Sequence, residues 1–529
     1  MAEESADRVQ LANGNYNSTD VSPQKQAFIR KHNLQQIKEK AQKCRRELCE
    51  QLSGNFTELV DEIITQVEDI EETRDAAGAE RRRKRGKNGE LPDKEFVSRQ
   101  SILTELLEID HIRTIYHIFV AILIVFSLNT VVYDIFENGL KPDLFNFEVI
   151  VWGFGKLPIV MTIWVCMLLA NTVVLYPLFQ HWAWNRPKKV GYYDYVYLAL
   201  YIAYILAFLI LPVITSFQHQ LPIASKLIAI LEQVRLIMKA HAFVRYNIPR
   251  AINYKPKSDD DVEDVGGPCP DFSKYLYFLF APTLVYRNSY PRTPTVRWNY
   301  VISNLLQVVA CLFYIHYIFA RFCIPVFQNF NSSSINARKM VLGMFGCMLP
   351  GTLVLFTGFF ALLHSWLNAF AEMLRFGDRL FYKDWWNSSS FSNYYRTWNV
   401  VVHDWLYSYV YKDVDYLMKG RCRALSMAAV FGLSAFVHEY VICVACGFFY
   451  PILFVMFGGV GFGLAFISDK ANRRIGNIMM WVMLFSGTGT LFALYSMEWY
   501  ARRNCPAISD NWLLNELIPH SWFCGVKFN

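Results

Sequence analysis

The sequence predicts an all-α, polytopic membrane protein with about nine transmembrane helices and a cytosolic helical segment before them. Of its 529 residues, 53% are hydrophobic and only 18% are charged, whereas about a quarter are charged in soluble domains. Long apolar runs begin near residue 113 and recur as far as residue 496. These observations exclude a soluble enzyme and a wholly disordered chain. The net charge of +7 is too small for this length to indicate nucleic-acid binding.

The first 95 residues differ in character from the rest. Residues 1–33 are polar, without the apolar core of a cleaved signal peptide, and we expect them to be disordered. Between 34 and 70, apolar residues recur every three or four positions, which predicts helix. This helix either packs on its own protein or forms a self-association seam. Together, this helix and the basic run at 81–87 form a predicted cytosolic oligomerisation helix and linker, residues 34–95. Residues 96–529 form the predicted membrane domain.

About 20 mostly apolar residues are needed to cross the hydrocarbon core of a bilayer. Eight segments meet this requirement: 113–134, 155–177, 193–215, 298–322, 340–368, 424–445, 447–467 and 476–496. A ninth, 222–244, is weaker because it contains Lys226, Glu232, Arg235 and Lys239. We expect the charged side chains of this segment to face protein or water rather than lipid.

The distribution of basic residues predicts the orientation. With a cytosolic N-terminus and nine crossings, the cytosolic loops hold 22 Lys and Arg and the lumenal pieces hold 6, as the positive-inside rule requires. The C-terminus is then lumenal, and so are Cys505 and Cys524, which we expect to form a disulfide. The twelve cysteines are scattered along the chain, which argues against a zinc ribbon or a disulfide scaffold. The endoplasmic reticulum is the expected compartment, because no signal indicates export beyond it.

Two features carry candidate chemistry. The first, which we call the aromatic segment, is 381–411, with 12 aromatic residues in 31 and several Asn, Ser and Arg side chains among them. An amphipathic helix on the bilayer would explain the aromatic residues but not the polar ones. The second is His438, within the apolar run 424–445. An ionisable group at membrane depth is a functional candidate by default, and imidazole is a suitable general base, although a structural histidine remains the alternative.

Long motifs in these regions resemble the sterol O-acyltransferases of the membrane-bound O-acyltransferase superfamily. The stretches FYKDWWN at 381–387, NYYRTWNVVVHDWLY at 393–407 and SAFVHEY at 434–440 carry the resemblance, which runs from about residue 95 to the end. It implies nine spans, assembly into a dimer or tetramer, and transfer of a long fatty acyl group from coenzyme A to the 3β-hydroxyl of cholesterol. It requires no metal and no cofactor beyond the acyl-CoA co-substrate.

The resemblance also implies roles for individual residues. His438 is the catalytic base and Asn399 its partner. The implied acyl-CoA contacts are Asn393, Arg396, Trp398, Tyr411, Arg423 and Ser434. The FYxDWWN motif consists of Phe381, Tyr382, Asp384, Trp385, Trp386 and Asn387. His111 is the implied sterol contact, with an ordinary interfacial histidine as the alternative. At Arg423 the family tends to have Lys, and Arg keeps the charge and binds phosphate well.

Three other functions compete with this one. Diacylglycerol O-acyltransferases have a similar FYxDWWN motif, but the RTWNVVVHDWLY stretch and the N-terminal helix favour the sterol branch. A transporter with His438 on its solute path would be expected to have matching halves, and the sequence has no internal repeat. A catalytically silent sterol-binding scaffold would not need both His438 and Asn399.

Overall fold

The computed structural model describes residues 38–40, 42, 43, 45, 91–139, 148–254, 267–327, 337–467 and 473–524. The chain divides into two compact units, Met1–Pro92 and Asp93–Asn529. In the first unit, residues 38–40, 42, 43 and 45 are helical. The stretch 1–33 predicted to be disordered, nearly all of the predicted oligomerisation helix and the basic run 81–87 lie outside the described residues. The second unit is mostly helical in its described ranges, with irregular stretches such as 281–297 and two isolated β-bridges.

Seven helices in the described part of the chain are long and apolar enough to cross a membrane. They are Asp110–Tyr133, Glu148–Asn185, Tyr192–Gln218, Trp298–Phe327, Ala337–Met373, Arg423–Cys446 and Arg474–Asn504. Three of them, Glu148–Asn185, Trp298–Phe327 and Ala337–Met373, continue through a π-helical stretch or a turn rather than as one regular α-helix. Shorter or more polar helices complete the unit: Ile102–Leu106, Ile223–Asn253, Phe272–Phe280, Phe391–Thr397, Val400–Leu406, Lys412–Leu417, Phe454–Ala465, Trp512–Leu517 and His520–Phe523.

The polytopic all-α fold is confirmed, but the predicted count of nine spans is not. In the segment predicted at 447–467, the apolar helix Phe454–Ala465 is too short to count among the seven. The preceding helix ends at Gly447, whose φ of +82° leaves the helical region, and Pro451 follows. The segment 222–244 lies within the longer helix Ile223–Asn253, which is too polar to count as an apolar span.

The charged side chains of Ile223–Asn253 face protein, as predicted. Lys239 is buried and its Nζ donates to the carbonyls of Phe278 at 2.6 Å and Ala281 at 2.7 Å. Arg235 donates to the carbonyl of Leu279 at 2.8 Å. These carbonyls close the short helix Phe272–Phe280, and basic side chains stabilise such a C-terminal end. The polar helix therefore forms part of the protein core rather than a lipid-facing span.

Two apolar clusters make up most of the core. One surrounds Ile223–Asn253 and includes Leu236, Phe243, Tyr275, Phe278, Tyr286 and Trp405. The other is centred on Ala337–Met373 and includes Phe359, Phe381, Tyr382, Trp385 and Tyr394. Ala337–Phe359 packs along Arg473–Asn504. Cys505, just after that last long helix, forms the predicted disulfide with Cys524, with their Cα atoms 5.5 Å apart.

Candidate functional site

The aromatic segment is folded as four short helical pieces, the last of them the π-helical Tyr407–Tyr411, rather than as one amphipathic helix on a bilayer. A 3₁₀ turn covers Trp385–Asn387, and Phe391–Thr397 and Val400–Leu406 follow as α-helices. Ser390 and Asn399 occupy the N-cap positions, and each side chain accepts the backbone N–H three residues ahead, at 3.2 and 3.1 Å. Ser and Asn favour this position because a side-chain oxygen satisfies an unpaired N–H of the first turn. The polar residues of this segment therefore set its turns.

The FYxDWWN motif contributes mainly to the hydrophobic core rather than to an exposed surface. Three of its side chains are buried (Phe381, Tyr382 and Trp385), one is half-buried (Trp386), and two are exposed (Asp384 and Asn387). The Trp398 ring lies 4.7 Å from the ring of Trp385 and 4.9 Å from that of Phe359. The motif thus fixes Trp398, the residue before Asn399, against the span Ala337–Met373.

The last long span also holds the motif in place. The carbonyl of Trp386 accepts the Nδ2–H of Asn477 at 3.0 Å and the indole N–H of Trp481 at 3.3 Å. Gly476 lies against the carbonyl of Ser389 so closely that a Cβ would overlap it. Backbone contacts between these two segments therefore define the position of the turn that precedes Phe391–Thr397.

His438 lies on Arg423–Cys446 with its side chain exposed rather than buried among other helices. Its Nδ1 is 2.7 Å from the carbonyl oxygen of Ser434. A carbonyl oxygen only accepts, so Nδ1 is the protonated nitrogen of the neutral ring and Nε2 retains a free lone pair. One face of the ring packs on Phe457, with the centroids 5.1 Å apart. This arrangement leaves Nε2 able to accept a proton from a substrate.

The helix that precedes Asn399 and the side chain of His438 both pack on the ring of Phe457. Tyr395, one turn before Asn399, packs its ring 5.2 Å from Phe431 and 5.1 Å from Phe457. Within the described residues no hydrogen bond joins Asn399 to His438. The Asn399 Oδ1 serves the helix cap, while its two amide N–H groups have no partner in the described part of the chain. They are available to a ligand.

The five candidate acyl-CoA residues other than Trp398 differ in their local contacts. Arg396 and Arg423 are exposed and form no ion pair among the described residues. Tyr411 stacks on Tyr407 with their ring centroids 5.7 Å apart. The other two side chains are engaged locally: the Nδ2–H of Asn393 donates to Ser388 at 3.0 Å, and Ser434 lies beside His438 with Oγ 3.5 Å from Nδ1.

His111 is not brought to the other candidate residues. It is the second residue of Asp110–Asn138 and its side chain is exposed. The span Asp110–Tyr133 has no buried residue in its most apolar stretch. Among the described residues, no hydrogen bond, ion pair or ring contact joins His111 to the aromatic segment or to the His438 helix.

Comparisons with known proteins decide the family. Residues 147–497 match the model of the membrane-bound O-acyltransferase family. The chain belongs to this family. It is 51% identical over 440 residues to sterol O-acyltransferase 1 of Mus musculus, covering 82% of this chain and 79% of the relative. To sterol O-acyltransferase 2 of Homo sapiens it is 45% identical over 436 residues, covering 82% and 80%. The protein is thus a membrane-bound acyltransferase.

The acyltransferase has a buried carboxylate, Glu439, directly after His438 in the sequence. Glu439 accepts the backbone N–H of Phe454 at 2.9 Å, and the Tyr495 hydroxyl lies 3.0 Å from its Oε1. Phe454 begins the π-helical stretch that carries Phe457. Glu439 therefore fixes the helix whose aromatic ring supports His438, a role that only the folded chain reveals.

A second membrane-depth histidine, His364, serves a different purpose. It is buried, and its Nδ1 lies 2.7 Å from the hydroxyl of Tyr382 and 3.3 Å from Nδ2 of Asn368. The Ser101 hydroxyl completes this buried polar cluster. Because Tyr382 belongs to the FYxDWWN motif, the cluster connects that motif to Ala337–Met373 and to the chain that precedes the first span.

Ion pairs fasten residues 93–99 of the acyltransferase onto the aromatic segment and its flanks. Lys94 pairs with Asp404, Asp93 pairs with Lys412, and Arg99 lies 2.8 Å from Asp378. Burial alone would raise the pKa of Asp404, but the hydrogen bond from the neighbouring imidazole and the charge of Lys94 hold the pKa below its usual value. The carboxylate is therefore ionised at neutral pH and holds the segment in place.

Proposed function

We propose that this protein is a sterol O-acyltransferase, which transfers a long-chain fatty acyl group from acyl-CoA to the 3β-hydroxyl of cholesterol. Its similarity to sterol O-acyltransferases over 82% of the chain supports the substrate class. The observation that carries the mechanism is the 2.7 Å contact between His438 Nδ1 and the Ser434 carbonyl. That contact holds the imidazole in the tautomer that a general base requires.

The reaction follows from that tautomer. Nε2 of His438 takes the sterol hydroxyl proton as the sterol oxygen bonds to the thioester carbonyl carbon. The carbonyl oxygen becomes an oxyanion, and an amide N–H of Asn399 or the indole N–H of Trp398 stabilises it. The tetrahedral intermediate collapses, the carbon–sulfur bond breaks, and the CoA thiolate recovers the proton from the imidazolium. Cholesteryl ester and CoA leave.

Electrostatics supports the binding mode of the co-substrate. Coenzyme A is polyanionic, and Arg396 and Arg423 are exposed cations without an ion-pair partner in the described residues. An arginine binds phosphate in a two-pronged geometry. We infer that these two side chains take the phosphates, with Asn393, Tyr411 and Ser434 along the rest of the ligand, and that cholesterol reaches His438 sideways from the bilayer, passing His111.

We further propose that the protein resides in the endoplasmic reticulum membrane with a cytosolic N-terminus and a lumenal C-terminus. The excess of basic residues in the predicted cytosolic loops supports this orientation. It also places Arg396 and Arg423 on the side that holds acyl-CoA. Residues 34–70 are the proposed seam of a dimer or tetramer, so deleting residues 1–70 lowers the assembly size and leaves measurable acyl transfer.

The substrate assignment is tested with labelled oleoyl-CoA and microsomes that contain the protein. Cholesterol and diacylglycerol are offered separately and then in competition. Labelled cholesteryl ester as the main product supports the proposal, and triacylglycerol as the main product would replace it with diacylglycerol O-acyltransferase activity. Failure to release CoA with either acceptor would overturn the acyl-transfer mechanism for both substrates.

A further inference from the structure

A cavity of about 510 Å³ lies at the opposite end of the His438 helix from Arg423. Its walls include Trp152, Phe217, Lys226, Trp499 and Arg503. Nothing in the proposed acyl-transfer mechanism uses these residues. The cavity is therefore separate from the candidate catalytic site, although Ala445, near the end of the His438 helix, forms part of its wall.

Three cations and no carboxylate line this cavity. Lys156 donates to the carbonyl of His219 at 2.6 Å. Lys226 Nζ lies 4.3 Å from the ring of Phe217, and neither Lys226 nor Arg503 has a carboxylate partner in the described part of the chain. Like charges that share a cavity repel each other, and an anion between them removes that repulsion. The charge pattern therefore fits an anionic ligand.

Aromatic rings hold the arginine at the cavity wall. The Arg503 guanidinium lies 4.1 Å from the Trp499 ring and 5.7 Å from the Trp152 ring. A cation over an aromatic face is attracted by the ring, so the guanidinium keeps its place without a carboxylate. Its N–H groups remain available for the paired hydrogen bonds that arginine makes with phosphate.

The position of the cavity at the ends of the membrane spans indicates the source of the anion. The spans Tyr192–Gln218, Arg423–Cys446 and Arg474–Asn504 all end beside it, and Glu148–Asn185 begins there. The ends of membrane spans lie at the level of lipid headgroups, where Trp side chains are also enriched. The cavity is thus placed where phosphate groups of the bilayer are concentrated.

An apolar surface descends from the cavity toward the membrane centre. On Tyr192–Gln218, the exposed side chains Ile210, Ile214 and Phe217 follow one another at spacings of four and three residues, on a single face of the helix. Phe217 also lies under Lys226 at the cavity itself. A ligand with a phosphate above and an acyl chain below would contact both the cations and this face.

We propose that the cavity binds the phosphate headgroup of a membrane phospholipid. The phosphate lies between Lys226 and Arg503, and an acyl chain follows the face of Ile210, Ile214 and Phe217. A free phosphate ion is also negatively charged, but it has no acyl chain to contact the apolar face. The bound lipid joins the ends of four spans, including the end of the helix that carries His438, and so stabilises the fold without entering the reaction.

The test uses purified full-length protein in detergent and its thermal melting temperature. The probes are dioleoyl phosphatidic acid, dioleoylglycerol, which lacks only the phosphate, and inorganic phosphate. Phosphatidic acid is expected to raise the melting temperature of the wild type, and the other two are not. In Arg503→Gln and Lys226→Met the apparent affinity for phosphatidic acid should fall roughly tenfold, as the loss of one charge-assisted hydrogen bond predicts.

Two matched variants separate binding from folding. Arg503→Lys keeps the charge and should retain most of the shift, and Lys188→Met, which removes an exposed lysine from a loop outside the cavity, should retain all of it. Equal shifts in wild type and Arg503→Gln would overturn the site, as would no shift in the wild type. An equal shift with inorganic phosphate would overturn the assignment of the ligand as a lipid. An equal shift with dioleoylglycerol would overturn the conclusion that the cavity binds a phosphate group.

Discussion

The carboxylate of Glu439 accepts the backbone N–H of Phe454 at 2.9 Å. This bond joins the helix that carries His438 to the helix that carries Phe457, and the Phe457 ring lies 5.1 Å from the imidazole. The Tyr495 hydroxyl, 3.0 Å from the same carboxylate, adds the last long span to the connection. Three helices thus hold the candidate base in position through one buried carboxylate.

The first prediction concerns this positioning role. Glu439→Ala leaves the Phe454 N–H without its acceptor, and losing such a buried bond costs about 1–3 kcal/mol. We expect kcat to fall roughly tenfold or more, with the KM for acyl-CoA little changed, because Arg396 and Arg423 are untouched. Glu439→Gln keeps a carbonyl oxygen and should restore part of kcat. A wild-type kcat in Glu439→Ala, measured in steady-state assays, would contradict the role.

The second prediction separates the two functions of Asn399. Asn399→Asp retains the oxygen that caps Val400–Leu406 but removes both amide N–H donors. Asn399→Ala removes the cap as well. Both variants should lose acyl transfer by about two to three orders of magnitude, the usual effect of losing an oxyanion donor. Only the alanine variant should also melt at a lower temperature. Near-normal turnover in Asn399→Asp would show that the donors are not used.

The third prediction concerns the polar helix Ile223–Asn253. Lys239→Met removes the donor to two buried carbonyls, at Phe278 and Ala281. We expect the variant to be destabilised by about 2–4 kcal/mol, because these acceptors lose their partner inside the protein. Lys188→Met, at an exposed lysine, is the control and should melt like the wild type. Unchanged melting of Lys239→Met would argue against a structural role for the buried ammonium.

The fourth prediction concerns orientation. In sealed microsomes, a tag after Asn529 should resist added protease and a tag before Met1 should be cleaved. A membrane-impermeant maleimide should label the reduced Cys505 and Cys524 only after the membrane is opened, because the proposed orientation puts their disulfide in the lumen. Cleavage of both tags would place the two ends on one side and would require an even number of crossings.

Hydropathy predicted the long apolar spans, because burial in lipid requires a long apolar helix whatever its neighbours are. It placed the end of Arg423–Cys446 to within one residue, but it did not predict that the next apolar helix, Phe454–Ala465, is too short to count as a span, since the break after Gly447 depends on a backbone conformation. The charges at Arg235 and Lys239 correctly indicated a protein-facing helix. Their acceptors at the end of Phe272–Phe280 could not be predicted, because that contact forms only when distant segments pack.

In the candidate site, too, the sequence predicted some features and others depend on tertiary packing. The sequence singled out His438, and the structure adds the carbonyl of Ser434 that sets its tautomer. For the FYxDWWN motif, the aromatic composition suggested a membrane surface, yet Phe381 and Trp385 are buried core residues. Composition reports which residues are present, whereas their burial depends on packing against Ala337–Met373. The positioning role of Glu439 likewise required the contact with Phe454.

The most direct test of the account is single-turnover acyl transfer by purified His438→Ala with labelled oleoyl-CoA and cholesterol. We predict normal acyl-CoA binding and a rate lower by about 10²–10⁴-fold, the usual contribution of a general base. The matched control is His181→Ala, an exposed histidine that pairs with Tyr197 and should leave the rate unchanged. A near wild-type rate in His438→Ala, with the protein folded and binding acyl-CoA, would contradict the account.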